Sequence, residues 1–256
     1  MSKIIVANWK NHPENSEEAR ELFEFSVSEA AKCPSLKTVI CPPEQFLSGL
    51  SLETINYKQK TIFVGAQDVF WESGAENYRV KYSLVGHSDR RYPPVGGGDT
   101  DEIVNQKLKI ALESEVTPIL LVGEKEKTEN RETVLQKQLF SDLLNFLTSD
   151  VRKVIIAYEP AWAISANPNG HADTPENALQ AAGFINDFLT ANYGVRPKPL
   201  AKEDKLQTTN FLYGGSVDRG NVADFLKYPE ISGAVIGGAS LRKEEFAAIL
   251  KIASEL

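Results

Sequence analysis

Residues Val154 to Asn167 read VIIAYEPAWAISAN. The stretch opens as an unbroken apolar run, Val154-Ile155-Ile156-Ala157-Tyr158. β-Branched residues without alternation fit a parallel strand covered on both faces. The run delivers one carboxylate, Glu159, and is stopped at once by Pro160, which lacks a backbone donor and fixes its own φ. A carboxylate at the C-terminal end of a buried parallel strand sits at the mouth of an α/β fold, where ligands bind. Taken alone, Glu159 could equally end its strand in solvent. Trp162 to Gly170 is a long loop, apolar at its start and turn-rich at its end. Thr174-Pro175-Glu176 then reads as N-cap, first-turn proline and acidic first turn of a helix. A base followed by a partly apolar loop is the pattern of a lid that closes over a site.

YEPAWAI resembles the catalytic-loop signature of the triosephosphate isomerase family, and other strand ends follow the same order. Ile4 to Ala7 reads as a first strand ending in Asn8-Trp9-Lys10, similar to the family's NWK motif. Lys37 to Cys41 reads as a second strand, stopped by Pro42-Pro43 as in the family. Gly65-Ala66-Gln67-Asp68 is similar to GAQN, and Gly86-His87-Ser88-Asp89-Arg90-Arg91 resembles GHSERR with one carbon removed from the acid. Val122-Gly123-Glu124 lies close to CxGE. Two further strands, Phe211 to Tyr213 and Gly233 to Ile236, lead to Gly214-Gly215-Ser216-Val217 and Gly237-Gly238-Ala239-Ser240-Leu241. A single Gly-Gly is weak evidence, since turns are rich in glycine. Two pairs after consecutive strands fit the phosphate site that such barrels build after strands seven and eight, where backbone N–H groups hold the dianion.

Strand-helix alternation over 256 residues therefore predicts an α/β fold, one (β/α)8 TIM barrel with a single domain spanning 1–256. The resemblance implies interconversion of glyceraldehyde 3-phosphate and dihydroxyacetone phosphate, with no cofactor and no metal. Glu159 is the expected base. His87, a neutral electrophile in the family, is expected with Asn8 and Lys10 to stabilise the enediolate. Ser165, Ser216, Gly237 and Gly238 are expected to hold the phosphate, and Asp89 to support Lys10 in the place of the family's Glu.

The chain also departs from the family. The third βα loop, from Phe70 to Lys81, is shortened and lacks the family's TGE-type tip, which docks beside a neighbouring subunit's site. The lid reads Ile164-Ser165-Ala166-Asn167 where the family has IGTG, with extra residues before Thr174. Asn186 and Ser232 replace an Arg–Asp pair. These departures keep open a weakly active or non-catalytic phosphometabolite-binding relative, and a different sugar-phosphate isomerase on the same barrel. They also predict a monomer, or else a homodimer built from another surface, because a stable interface buries roughly 1,200–2,000 Å².

Composition fits a soluble globular protein, with 42% hydrophobic and 25% charged residues. The net charge of −7 argues against nucleic acid or an anionic membrane as partner. Cys33 and Cys41 have no paired-ligand spacing and are expected as free thiols in a reducing cytoplasm. Ile4-Ile5-Val6-Ala7 is far too short for a signal h-region or a membrane span. Asp99 and Glu102 have capping-box spacing before the helix that carries Leu108, and a helix is expected from Glu132 to Leu147.

Overall fold

Eight parallel strands pair in chain order and close on themselves, β8 returning to β1. They are β1 (Ile4–Asn8), β2 (Lys37–Cys41), β3 (Ile62–Ala66), β4 (Tyr82–Val85), β5 (Thr117–Val122), β6 (Ile155–Tyr158), β7 (Phe211–Tyr213) and β8 (Gly233–Ile236). The computed structural model describes residues 2–54, 60–69, 80–93, 95–165, 173–195 and 210–256, the side chains of 52–54 excepted. The shortened third loop at 70–79, the lid residues Ala166 and Asn167, and most of the 192–210 connector lie outside the described residues. Among those described, no helix is long and apolar enough to cross a membrane.

The unbroken apolar runs are explained by two packed layers. Ile4, Val6, Val39, Leu84, Ile119, Leu121, Ile155, Ala157, Leu212 and Val235 form one cluster inside the barrel. Ile5, Ala7, Ile40, Val85, Leu120, Ile156 and Tyr158 belong to the outer cluster, under the helices. Each strand is buried on both faces, as a parallel sheet between layers requires.

The covering helices are α1 (Ser16–Ala31), α2 (Glu44–Thr54), α3 (Ser88–Arg91), α4 (Asp101–Glu113), α5 (Arg131–Asp142), α6 (Thr148–Val151), α7 (Pro175–Tyr193), α8 (Val222–Leu226) and α9 (Lys243–Ser254). Thr174 caps α7, its hydroxyl accepting from the Asn177 amide at 3.2 Å, with Pro175 in the first turn. Gly194 ends that helix in the left-handed conformation, φ 62°.

Two local expectations are corrected. The cap of α4 is Thr100, whose hydroxyl accepts from the Ile103 amide, and Asp99 instead pairs with Lys107 at 2.6 Å. Lys107 is buried and also meets Asp68 at 2.8 Å, so its charge claims the carboxylate that the spacing had assigned to a cap. The helix expected to run to Leu147 stops at Asp142. Asn145 takes a left-handed φ of 66°, which breaks the chain before the short α6 begins. Cys33 and Cys41 are both buried and unbridged.

Candidate active site

Strand parity carries three of the expected residues to the barrel mouth. In β1, Ile4 and Val6 face the interior, so Asn8 and Lys10 continue that column. In β6, Ile155 and Ala157 face inward, and Glu159 is next in the same row. His87 is out of phase with Leu84, the inward residue of β4. Gly86 corrects the phase with a φ of +76°, a conformation that glycine adopts without a Cβ penalty.

These side chains converge. Nε2 of His87 lies 3.0 Å from Oε1 of Glu159, and the Ser88 amide donates to Oε2 of Glu159 at 2.7 Å. Nδ1 of His87 accepts a hydrogen bond from the Asp89 amide at 3.1 Å. An accepting Nδ1 carries no proton, so the neutral ring holds its hydrogen on Nε2, facing the site. Lys10 has a φ of 52°, outside the usual range for a residue with a side chain. Three contacts hold it: its amide donates to Asn8 Oδ1 at 3.1 Å, its carbonyl accepts from Gln67 Nε2 at 2.8 Å, and its ammonium meets Asp89 Oδ2 at 3.0 Å. The shorter carboxylate of Asp89 therefore still reaches Lys10.

Burial raises the Glu159 carboxyl above its ordinary range, against the pull of the Ser88 amide and Lys10. At Asp89 burial pushes upward too, but the Lys10 ammonium and the Arg90 guanidinium hold the carboxyl below its usual value. One strand end thus carries a strengthened base, and the neighbouring loop a firmly ionised counter-charge.

A cavity of about 490 Å³ opens over these groups. Its lining includes Asn8, Lys10, His87 and Glu159 together with Ser165, Ser216, Gly237 and Gly238. Two of these residues are joined directly: the Ser165 amide donates to Ser216 Oγ at 2.6 Å. After β8 the chain forms a 3-10 turn over Gly238–Leu241, which begins in the second glycine pair. No heavy atom stands within 4 Å of a Cβ built at Gly238, and only Lys10 Cε at 3.9 Å near one at Gly237. The glycines leave open backbone where an anion can approach.

Several supporting residues escaped the sequence reading. Gln67 sits in a recognised motif, yet nothing in the spacing shows that its amide bridges the carbonyls of Lys10 and Cys41 at 2.8 and 2.9 Å. Glu124 accepts from Tyr158 Oη at 2.8 Å and Trp162 Nε1 at 3.1 Å. Asp173, which the sequence reading passes over, accepts from Tyr213 Oη at 3.1 Å and Asn177 Nδ2 at 2.8 Å. Trp162 and Asp173 flank the lid segment, so both its ends are fastened to the barrel. Asn186 accepts from Thr190 Oγ1 within α7, while Ser232 makes backbone pairs with Phe211 and Ile4.

The family described as Triosephosphate isomerase matches residues 3–253 of the chain. A triosephosphate isomerase of Dehalococcoides mccartyi (strain CBDB1) is 37% identical, over 99% of this chain and 98% of its own length. That of Dictyoglomus thermophilum is 34% identical, over 97% of this chain and 98% of its own. That of Clostridium botulinum (strain Loch Maree / Type A3) is 36% identical, over 96% and 98%.

Proposed function

The chain belongs to the triosephosphate isomerase family, and from that premise we propose that it interconverts D-glyceraldehyde 3-phosphate and dihydroxyacetone phosphate as one barrel domain over residues 1–256. Glu159 takes a proton from the carbon beside the carbonyl. The electrons move onto the carbonyl oxygen, and the enediolate is stabilised by the Nε2 hydrogen of His87 and by Lys10, with Asn8 alongside. A proton passes from the adjacent hydroxyl oxygen to the former carbonyl oxygen by way of His87 Nε2, and Glu159 returns its own proton to the former carbonyl carbon. Ser165, Ser216, Gly237 and Gly238 receive the phosphate, whose binding energy goes to holding the reacting end in place. The named side chains supply both base and donors, so this reading calls for no metal and no cofactor.

The observation that carries the reading is the contact of Glu159 with His87 in the lining of the cavity. A base raised by burial and a neutral donor already share the space that a substrate's carbonyl end requires. A binding-only relative has no use for that pairing. Substrate entry exchanges the Glu159–His87 contact for contacts to the substrate. A coupled assay of purified protein in both directions tests the reading: turnover supports it, and tight phosphate-dependent binding without turnover overturns it.

A monomer in the cytoplasm belongs to the same proposal. It is supported by the short sequence between Gln67 and Tyr82 and by the way Lys10 is held. Asp89, Gln67 and Asn8 of its own chain anchor Lys10, so no neighbour's loop tip is needed. Sedimentation equilibrium at micromolar concentration decides it: a tight dimer centred on residues 68 to 81 contradicts the proposal.

A further inference from the structure

Behind the catalytic loop, α5 ends with a carboxylate turned into the core. Asp142 is fully buried. Its Oδ2 meets Nη2 of Arg91 at 2.5 Å, while Oδ1 has no hydrogen-bond partner. A buried carboxylate with one oxygen unpartnered is poorly compensated as an anion. Arg91 is also shared: its Nη1 meets Asp101 Oδ1 at 2.8 Å. From α4, Asp101 and Glu102 add negative charge near Asp142, and Asn105 reaches only its backbone carbonyl. From α5 itself, Lys137 lies 3.9 Å from Asp101. Burial, the largest influence, lifts the Asp142 carboxyl to about 7 against the pull of Arg91.

The remaining donors of Arg91 go to the backbone of two strand ends. Its Nε donates to the Gly86 carbonyl at 2.9 Å, and its Nη2 to the Leu121 carbonyl at 3.3 Å. The Gly86 carbonyl belongs to the same peptide plane as the His87 amide. Gly86 is also where the left-handed turn brings His87 into phase, and a Cβ built there would stand 2.8 Å from Arg91 Nη2. The guanidinium is thus packed directly against the residue that aims the proposed electrophile.

We propose that Asp142 is a positioning residue for His87: as a carboxylate it fixes Arg91, Arg91 fixes the Gly86 carbonyl, and that carbonyl fixes the peptide from which the imidazole projects. Protonation of Asp142 removes the anion from one side of the guanidinium and leaves Asp101 alone to hold it. The grip on Gly86 loosens and isomerisation slows. The inference rests on the role given above to His87.

The test compares the pH profile of kcat/KM for the wild-type protein and Asp142→Asn, which keeps the shape and removes the titration. Dividing one profile by the other cancels ionisation of the substrate and of Glu159. The ratio is expected near one at about pH 5.5 and about three- to tenfold at about pH 8.5, turning over near 7, where the carboxyl titrates. A ratio independent of pH overturns the inference and leaves Asp142 a structural residue. A second measurement needs no variant and no activity: 13C signals of the Asp142 carboxyl and the Gly86 carbonyl in the wild-type protein. They are expected to move with one midpoint, and a Gly86 signal indifferent to the Asp142 titration overturns the coupling. Absence of turnover in the wild-type protein refutes the isomerase reading instead, and the carbon signals still decide the coupling.

Discussion

The Ser88 amide donates to Oε2 of Glu159 at 2.7 Å, so the proposed base is held by the backbone of the residue that follows the proposed electrophile. The other oxygen of Glu159 faces His87 itself. Both sides of the carboxylate are therefore fixed by a single loop, which Gly86 turns and Arg91 supports. A base held this way is oriented before substrate arrives, which lowers the entropic cost of reaching an attack geometry.

Replacing Glu159 with Gln is expected to lower kcat by about 10²–10⁴, the usual scale for a positioned acid–base group. The barrel is expected to survive, because the residue lies at the mouth and not among the packed layers. Steady-state kinetics with circular dichroism checks both parts; a loss of less than tenfold removes Glu159 from the base role. In the wild-type enzyme, the acid limb of kcat/KM is expected above the ordinary carboxylate range, because burial raises this group.

Asp89→Asn removes the charge that meets the Lys10 ammonium at 3.0 Å. The expected effect on kcat/KM is a loss of roughly tenfold, the result of a misplaced cation beside the developing oxyanion. Asp89 is held below its usual carboxylate range, so its ionised form favours the folded state. That contribution is present above the unfolded-state pKa and disappears as pH falls through the folded one. Acid unfolding of Asp89→Asn should therefore begin at a higher pH than in the wild-type protein. Identical acid transitions contradict this.

The fold was legible in the sequence because each strand is buried on both faces, which writes it as an unbroken apolar run. Val154 to Tyr158 reads as a strand on that ground alone. The mouth residues were legible because they follow those runs directly. Asp99 was misread because a capping carboxylate and an ion-pair carboxylate look alike until Lys107 is placed beside it. Gln67, Asp173 and Asp142 were silent for a similar reason: each acts on a residue distant in the chain, and spacing encodes no such contact.

Ser216→Ala deletes the oxygen that accepts from the Ser165 amide. It leaves one donor without its partner and removes one hydroxyl from the lining of the cavity, where the phosphate is proposed to bind. KM is expected to rise about three- to tenfold with a smaller change in kcat, since the contact belongs to the non-reacting part of the substrate. A fall in kcat at unchanged KM contradicts the assignment.

Asp142 should leave a mark on stability opposite to its mark on activity. Its carboxyl is raised to about 7 in the folded protein, well above its ordinary value of 3.8. The folded state therefore binds more protons between those values, and stability falls as pH rises through that window. The Tm difference between wild-type protein and Asp142→Asn should shift against the wild type from about pH 4 to about pH 7 and then level off. Scanning calorimetry reads this directly, and parallel Tm curves contradict it.

The most direct test of the central claim is proton NMR of dihydroxyacetone phosphate incubated in D2O with the wild-type protein and with Glu159→Gln. The wild-type protein should form glyceraldehyde 3-phosphate and place deuterium on the carbon next to the carbonyl, while the variant leaves that carbon unexchanged over the same time. Binding of the substrate with neither isomerisation nor exchange in the wild-type protein, or exchange undiminished in the variant, would contradict the account.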